Sequence, residues 1–197
     1  LARVDVLCVD KTGTITDDQL QAADPVPLAA ATGSDCATED ILCAFYSDII
    51  PENDTARAMQ QRFSGESQWH CTHCVPFNSQ TKWSAAVFDQ GTYLVGAPEF
   101  ILGQDNPSLR EQIEPLTRQG YRVLLLAQYD GIPELGMALR HDAVTPLALI
   151  PLRNRIRPSA PETFRYFARE GVSIRVISGD DPMTVSAVAR QAGIAGA

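Results

Sequence analysis

The sequence predicts an α/β fold in which a doubly wound parallel sheet is interrupted by a smaller, inserted α+β domain. Two strand-loop-helix patterns, one near each end of the 197-residue chain, carry the first part of this prediction. The middle of the chain carries the second part, because its short apolar runs are separated by turns and suit an antiparallel sheet. With 45% hydrophobic and 20% charged residues, the composition is that of an ordinary globular protein.

The first strand-loop-helix pattern begins at residues 4–9, which are apolar or β-branched at nearly every position. Such a run is typical of a strand that is buried on both faces of a parallel sheet. A polar loop that starts at Asp10 follows directly. We therefore expect Asp10 to stand at the carboxyl end of a buried strand.

The second strand-loop-helix pattern lies near the other end of the chain. A helix is predicted for residues 158–170 and a second buried strand for residues 172–177. The loop Ser178-Gly179-Asp180 then leads into a helix predicted for residues 183–191. Because ligands bind at the carboxyl ends of the strands in such Rossmann-like sheets, we expect Asp10 and Ser178 to meet there.

The middle of the chain alternates helical and strand patterns. Helices are predicted for residues 39–47, 55–63 and 109–119. Strands are predicted for residues 83–88, 92–95, 121–128 and 135–140. The expected organisation is one domain built from residues 1–22 and 149–197, with an inserted domain at residues 23–148.

The charge balance and the lengths of the apolar runs exclude two classes of function. The net charge is −8, from 16 basic and 24 acidic residues, which argues against a surface that binds nucleic acid. The longest apolar runs, at 123–127 and 147–152, fall far below the roughly 20 residues that cross a bilayer. We therefore expect a soluble chain that binds any nucleotide through local geometry.

The polar loop after the first strand, Asp10-Lys11-Thr12-Gly13-Thr14, combines a carboxylate, a cation and a tight turn of amide donors. This set suits the attack of a carboxylate on a phosphoryl group. Asp10 is the candidate nucleophile, Lys11 offsets charge, and the Thr14 hydroxyl binds phosphoryl oxygens with the turn amides. Charge that develops on those oxygens usually requires magnesium, so Mg²⁺ is expected. The alternative is a polar turn that Asp10 caps.

The longer run Asp10-Lys11-Thr12-Gly13-Thr14-Ile15-Thr16 closely resembles the signature of P-type ATPases, within the haloacid dehalogenase-like superfamily. The family usually has leucine where Ile15 stands. The resemblance implies that ATP phosphorylates Asp10, that Lys11 and Thr12 are also catalytic, and that Asp10 and Thr12 bind Mg²⁺. Phosphatases of the superfamily tend to carry a general acid-base aspartate at the position of Thr12. Its absence favours a long-lived aspartyl phosphate.

Two further motifs resemble parts of the same phosphorylation site. Ser178-Gly179-Asp180 is similar to the family's Thr-Gly-Asp loop, which implies that it binds the phosphoryl group together with Thr14. Arg157 stands where the Asp-Pro-Pro-Arg motif of the family supplies an arginine near the nucleotide, although a solvated arginine before a helix is an equal alternative. Asn154 replaces the aspartate of that motif, so the negative charge at this position is lost.

The inserted segment carries the predicted nucleotide-binding residues. The run from Pro76 to Trp83 resembles the family segment in which a phenylalanine stacks on adenine and a lysine lines the pocket, which assigns Phe77 and Lys82. Gly96 lies in a run similar to Lys-Gly-Ala-Pro-Glu, with Val95 in place of the lysine, and Arg122 resembles an arginine that reaches the ATP phosphates. The alternatives are a core phenylalanine and edge-strand charges.

The five cysteines show no disulfide framework, and reduced thiols are the expected state. The run His70-Cys71-Thr72-His73-Cys74 could ligate a soft metal. Strand alternation would place Cys71 and His73 on one face and His70, Thr72 and Cys74 on the other. This alternation favours an ordinary strand, with a surface zinc or copper site as the alternative.

The resemblance covers essentially the whole chain and implies the catalytic portion of a cation pump on the cytoplasmic face of a membrane. The actuator domain and transmembrane helices of such a pump are its expected partners. The family's later Gly-Asp-Gly-x-Asn-Asp run, which completes the magnesium site, is not in this sequence, so we expect nucleotide binding without efficient phosphorylation. The alternatives are a nucleotide-binding module and a stand-alone phosphatase, which Thr12 disfavours.

Overall fold

The computed structural model describes residues 4–29, 37–47, 49–65, 67–103, 106–179, 182–194 and 196. Their contacts divide the chain into two units. The first unit contains Leu1–Gln21, Glu114–Arg122 and Arg153–Ala197. The second unit contains Ala22–Ile113 and Val123–Leu152.

The first unit is built around a parallel pair of strands, β1 (Val6–Asp10) and β9 (Ser173–Ile177). Their register runs from Val6 opposite Ser173 to Asp10 opposite Ile177. Helix α5 (Ala160–Arg169) precedes β9 and helix α6 (Pro182–Gln191) follows it. The predicted α/β pattern at the two chain ends is confirmed.

The core of the first unit forms where these helices pack with Ile15, which is fully buried just after the Asp10 loop. Phe164 of α5 and Val188 of α6 are both buried in the same cluster. Burying a side chain of this size stabilises a fold by about 1.5–3 kcal/mol. The cluster therefore anchors the far end of the Asp10 loop to the helices.

The expectation that β1 is buried on both faces is wrong. Val6 is 53% exposed and Ile177 of β9 is 63% exposed. Within the described residues, this parallel sheet has only two strands, so neither strand has a second neighbour to cover it. The apolar run still pairs as a strand, because backbone pairing with β9 does not require complete burial.

A second sheet contains seven strands, most of which belong to the second unit. They are β2 (Thr16–Ala22), β3 (Val26–Pro27), β4 (Cys71–Val75), β5 (Trp83–Phe88), β6 (Gly91–Gly96), β7 (Arg122–Tyr129) and β8 (Val144–Ile156). The strand order is β2-β8-β7-β6-β5-β4, and β3 also pairs with β8. The pairs β4–β5, β5–β6 and β6–β7 are antiparallel, which confirms the predicted type of sheet.

Four helices accompany this sheet, namely α1 (Thr38–Ser47), α2 (Asp54–Arg62), α3 (Pro98–Ile101) and α4 (Pro107–Arg118). The Asn53 side chain accepts a hydrogen bond of 2.8 Å from the Ala56 amide and so caps α2. Fully buried apolar side chains from α1, α2 and the strands form the core, including Phe45, Met59 and Leu94.

One predicted strand is wrong and three strands were not predicted. Residues 135–140 form a turn and irregular chain, because Gly136 has a φ of +83° and the side chains of Leu135 and Met137 are 60% exposed. The unpredicted strands are β2, β3 and β8. In β8, Pro146 and Pro151 interrupt the sequence pattern that would have indicated a strand.

Candidate functional site

The Asp10 loop is a tight turn that closes on the Lys11 carbonyl oxygen. The Ile15 and Thr16 amides each donate to that oxygen at 3.0 Å, and Thr16 Oγ1 lies 3.3 Å from it. Gly13 adopts a φ of +77°, in the left-handed region that favours glycine. This backbone geometry holds Asp10, Thr12 and Thr14 at the carboxyl end of β1.

The side chains of Asp10, Thr12 and Thr14 are exposed, so this edge of β1 is open to a ligand. Because Asp10 is paired with Ile177, the half-buried Ser178 is the first residue beyond the paired end of β9. Gly179 follows it, with open space where a Cβ would stand. The structure thus brings Asp10, Thr14, Ser178 and Gly179 to one edge, while Asp180 lies outside the described residues.

Lys11 differs from its neighbours because its side chain is only 4% exposed. Its Nζ donates to Asn154 Oδ1 at 3.4 Å, and Asn154 Nδ2 donates to the Asp17 carbonyl oxygen at 3.2 Å. The side-chain amide of Asn154 therefore links the Lys11 ammonium to the backbone beyond the loop. Asn154 makes this link without the negative charge of an aspartate.

Arg157 lies against the same stretch of backbone. Its amide donates to the Ile15 carbonyl at 3.0 Å, and its Nε donates to the Thr16 carbonyl at 3.4 Å. Its Nε also lies 3.8 Å from the Asp17 carboxylate, with both side chains about 40% exposed. An ion pair this exposed contributes little to stability, so the backbone contacts are what place Arg157 beside the loop.

The donors at the Asp10 edge suit a hard cation. The Asp10 carboxylate and the oxygens of Thr12 are of the kind that Mg²⁺ prefers, and Mg²⁺ commonly binds through one or two carboxylates while it keeps several waters. Across the described residues, no group of three or more His, Cys, Asp or Glu side chains could hold a metal. The oxygen donors of Asp10 and Thr12 fit a magnesium ion that keeps several of its waters.

The predicted nucleotide segment forms the connection between β4 and β5 in the second unit. Phe77 is 44% exposed there. Asn78 shapes the loop, because its Oδ1 accepts from the Gln80 amide at 2.7 Å and its carbonyl accepts from the Lys82 amide at 2.7 Å. Lys82 has a φ of +59°, a conformation that is uncommon for residues other than glycine. The loop thus presents Phe77 and Lys82 on a defined backbone.

Gly96 contacts this loop through its backbone. A Cβ at Gly96 would lie 2.4 Å from the Lys82 carbonyl oxygen and 2.6 Å from Trp83 Cα. The next amide, that of Ala97, donates to the same carbonyl at 2.9 Å. The missing side chain at Gly96 therefore allows β6 to approach the end of the loop, and the structure brings Phe77, Lys82 and Gly96 to one region.

The remaining nucleotide candidate, Arg122, is the exposed first residue of β7 and by its contacts belongs to the first unit. Phe77, Lys82 and Gly96 belong to the second unit.

The expected alternation of the His/Cys run is wrong, and so is the expectation of reduced thiols for Cys71 and Cys74. A register shift between Cys71 and His73 brings the two sulfurs together, and the structure joins them as a disulfide. Cys8 and Cys43 are free thiols. Cys36 lies outside the described residues.

Sequence reasoning missed two asparagines that shape these sites. The sequence indicated only a lost charge at Asn154, whereas its side chain bridges Lys11 to Asp17. The role of Asn78 could have been predicted from the sequence, because Asn in a polar loop commonly forms an Asx turn. The contact between Lys11 and Asn154 could not be predicted from local sequence, since the two residues are far apart along the chain.

None of the helices in the described part of the chain is both long and apolar enough to cross a membrane.

The fold and the Asp10 edge define a class: an α/β protein with an inserted α+β unit and a strand-ending aspartate beside a Ser-Gly loop. The chain belongs to the haloacid dehalogenase-like hydrolase family, whose family model matches residues 4–197.

Curated relatives of the chain include cation-transporting ATPases. The calcium-transporting ATPase CtpE of Mycolicibacterium smegmatis is 39% identical over 197 residues, covering 100% of this chain and 24% of that protein. The probable cation-transporting ATPase exp7 of Streptococcus pneumoniae is 38% identical over 196 residues, covering 99% of this chain and 25% of that protein. The chain therefore spans about a quarter of the length of these relatives.

A solved structure shares the fold. The crystal structure of a zinc-transporting PIB-type ATPase matches with a TM-score of 0.62 at 18% identity, over 98% of this chain and 28% of that one. At this identity the match is evidence for the fold alone.

Proposed function

We propose that this chain is the catalytic portion of a P-type cation pump and that Asp10 accepts the terminal phosphoryl group of ATP. One observation carries the proposal: the exposed Asp10 carboxylate stands at the open end of β1, in register with Ile177, which directly precedes the Ser178-Gly179 loop. The names of the relatives, which include a calcium-transporting ATPase, supply the reaction class. The transported substrate is accordingly a cation.

The chemistry assigned to Asp10 is nucleophilic attack on phosphorus. A carboxylate oxygen of Asp10 forms the new bond to the terminal phosphorus of ATP, the bond from phosphorus to the bridging oxygen breaks, and ADP leaves with that electron pair. The hydroxyls of Thr14 and Ser178 and the amide of Gly179 donate to the phosphoryl oxygens, and Asp180 is the further proposed member of this phosphate loop. Donors that are fixed on the backbone before the reaction need little reorganisation.

Thr12 and Lys11 determine the fate of the aspartyl phosphate. Thr12 offers no carboxylate to activate water, so the aspartyl phosphate persists long enough to be coupled to transport. The ammonium of Lys11 is buried, and we assign to it the positive charge that offsets charge on the phosphoryl group. Asn154 is a positioning residue for Lys11.

Magnesium is the proposed cofactor, held by the Asp10 carboxylate and an oxygen of Thr12. When bound, Mg²⁺ would neutralise charge on the phosphoryl oxygens. Among the described residues the site offers few ligands, and we propose that the 197 residues bind nucleotide but phosphorylate inefficiently on their own.

The proposed nucleotide-binding residues are Phe77, Lys82, Gly96, Arg122 and Arg157. The half-exposed ring of Phe77 stacks on adenine, and Lys82 supplies a charge at the end of the same loop. Gly96 keeps that loop in place. Arg122 and Arg157 provide guanidinium groups suited to phosphate oxygens.

The two parts of the chain have separate proposed roles. Residues 1–22 and 149–197 form the phosphorylation domain, and residues 23–148 form the nucleotide-binding domain. The chain spans about a quarter of the length of its relatives. We propose an actuator domain and transmembrane helices as its partners in the pump. The chain then works on the cytoplasmic side of the membrane.

The nucleotide site is tested by measuring ATP binding to two variants. Phe77→Ala removes the proposed stacking ring and should raise the Kd for ATP by about tenfold, which corresponds to about 1.4 kcal/mol. Phe100→Ala is the matched control, because Phe100 is 41% exposed compared with 44% for Phe77 and lies in α3, outside the proposed site. Calorimetric titration with ATP measures both. Equal affinities in the two variants would remove Phe77 from the site.

The same preparation distinguishes the phosphatase alternative. Our proposal predicts no turnover of p-nitrophenyl phosphate, because Thr12 replaces the acid-base aspartate. Turnover that is lost in Asp10→Asn would instead identify a phosphohydrolase.

A further inference from the structure

The cysteine pair Cys71 and Cys74 lies on β4, the last strand in the order of the seven-stranded sheet. Cys71 is opposite Phe88 and Cys74 is opposite Ala86 on β5. These two partners are two residues apart, and residues at that spacing on a strand point to the same face. Cys71 and Cys74 therefore share a face although they are three positions apart.

A β-bulge makes this arrangement possible. His73 is opposite Val87, so β4 advances two residues from Cys71 while β5 advances one, and Thr72 is the extra residue. The Thr72 hydroxyl donates to the Val87 carbonyl at 3.1 Å and so ties the bulge to β5. The bulge is what converts a Cys-x-x-Cys spacing into a pair of facing sulfurs.

The pair is accessible from solvent. Cys74 is exposed and Cys71 is half-buried, and their Cα atoms are 6.9 Å apart in the disulfide. Cys71 Sγ lies 3.5 Å from the His73 carbonyl oxygen, which would accept from the thiol in the reduced state. A small reagent can therefore reach Cys74 first, with Cys71 held next to it.

A metal site is the weaker interpretation of the same residues. The bulge places His73 opposite Val87, on the other face from the two sulfurs. Among the described residues, no group of three metal-ligating side chains forms here or elsewhere. Two sulfurs on one face without a third ligand favour a covalent pair over a zinc site.

We propose that Cys71 and Cys74 form a reversible dithiol–disulfide site that exchanges with low-molecular-weight disulfides of the glutathione class. In the first step the Cys74 thiolate attacks the small disulfide, forms a mixed disulfide and releases one small thiol. In the second step Cys71 attacks the Cys74 sulfur, closes the Cys71–Cys74 bond and releases the second small thiol. Two protein thiols are oxidised, one small disulfide is reduced, and both thiol protons leave on the products.

This site is independent of phosphoryl transfer, although it borders the proposed nucleotide loop. Val75 follows Cys74 directly, is buried and lies opposite Ala85, and the loop with Phe77 begins after it. The thiols themselves provide the readout of the test, so its outcome does not depend on ATP binding.

The experiment starts from the reduced, folded chain. Oxidised glutathione is added, the reaction is quenched with acid, and the remaining thiols are alkylated. The mass of the peptide that spans Cys71 and Cys74 is then measured by mass spectrometry. We expect a mass lower by two hydrogen atoms, with neither cysteine alkylated, and full reversal by dithiothreitol. Two alkylated cysteines after oxidant treatment of the folded chain would overturn the proposal.

Two variants test the order of steps and the role of the bulge. Cys71→Ser removes the second nucleophile, so Cys74 should accumulate a glutathione adduct. The double variant His73→Cys, Cys74→Ser moves one sulfur to a position opposite Val87, on the other face, and should lose the internal disulfide. A disulfide that closes equally well in the double variant, or that closes only in denaturant, would contradict a site built by the fold.

Discussion

Gly13 shapes the Asp10 loop through its backbone conformation. The strain of that conformation can be measured separately from the effect of a larger side chain. Its φ of +77° is strained for any residue with a Cβ, although no atom lies within 4 Å of the Cβ position. Gly13→Ala should lower the free energy of unfolding by about 1–2 kcal/mol. Gly179→Ala is the matched control, because its Cβ position is also open and its φ is not positive. Urea unfolding of both variants checks this, and equal stabilities would contradict the assigned strain.

Asn154 provides the second prediction for a single residue. Its Oδ1 accepts from the buried Lys11 ammonium, and hydrogen bonds to charged groups contribute about 1.5–3 kcal/mol. Asn154→Ala should lower the free energy of unfolding by about that amount, measured by urea unfolding. Arg155→Ala, at the exposed neighbouring position on β8, should change it by less than about 0.5 kcal/mol. A loss in Asn154→Ala no larger than in this control would show that Lys11 does not depend on Asn154.

Local sequence identified the residues of the Asp10 loop but not the partner of Lys11. The loop is a contiguous run, so its turn chemistry can be read directly from the sequence. The contact between Lys11 and Asn154 depends on where β8 passes the loop, and that is a property of the tertiary fold.

Helix α1 carries a buried tyrosine that makes the stability of the second unit depend on pH. Burial raises the pKa of Tyr46, so the folded chain keeps this phenol neutral where the unfolded chain ionises it. Above about pH 10, the usual pKa of tyrosine, the unfolded chain therefore binds fewer protons than the folded chain. The free energy of unfolding should then fall by about 1.4 kcal/mol for each pH unit above that value.

The control for this pH dependence is a second tyrosine. Tyr46→Phe should flatten the decline in unfolding free energy between about pH 9 and 11. Tyr166→Phe should leave the decline unchanged, because Tyr166 is 59% exposed. If the unfolding free energy of both variants fell as steeply with pH as that of the original chain, Tyr46 would not be the group responsible.

At the scale of these elements, the sequence predicted the helices well and the strands unevenly. Helices α1, α2 and α4 lie within one or two residues of their predicted ranges, because each has its own amphipathic period. Strand β8 was missed, since two prolines interrupt a run that pairing with neighbours nevertheless holds extended. The bulge in β4 was also missed, because it is defined by the register with β5 and not by the residues of β4 alone.

At the scale of the whole molecule, the order of motifs along the chain predicted the fold class more firmly than any single motif. The strand-loop-helix patterns at the two ends and the antiparallel middle are confirmed by the sheet pairings. The burial of β1 was overestimated, because an apolar run indicates a strand but does not reveal how many neighbours cover it.

The most direct test of the proposed function is phosphorylation of Asp10 in the pump to which we propose this chain belongs. Incubation with ATP labelled at the terminal phosphate and with magnesium should give an acid-stable, hydroxylamine-sensitive label that maps to the peptide containing Asp10. Asp10→Asn should abolish the label, while Asp89→Asn, an exposed aspartate in the turn after β5, should retain it. A label that persists in Asp10→Asn, or an original protein that is never labelled, would contradict the role assigned to Asp10.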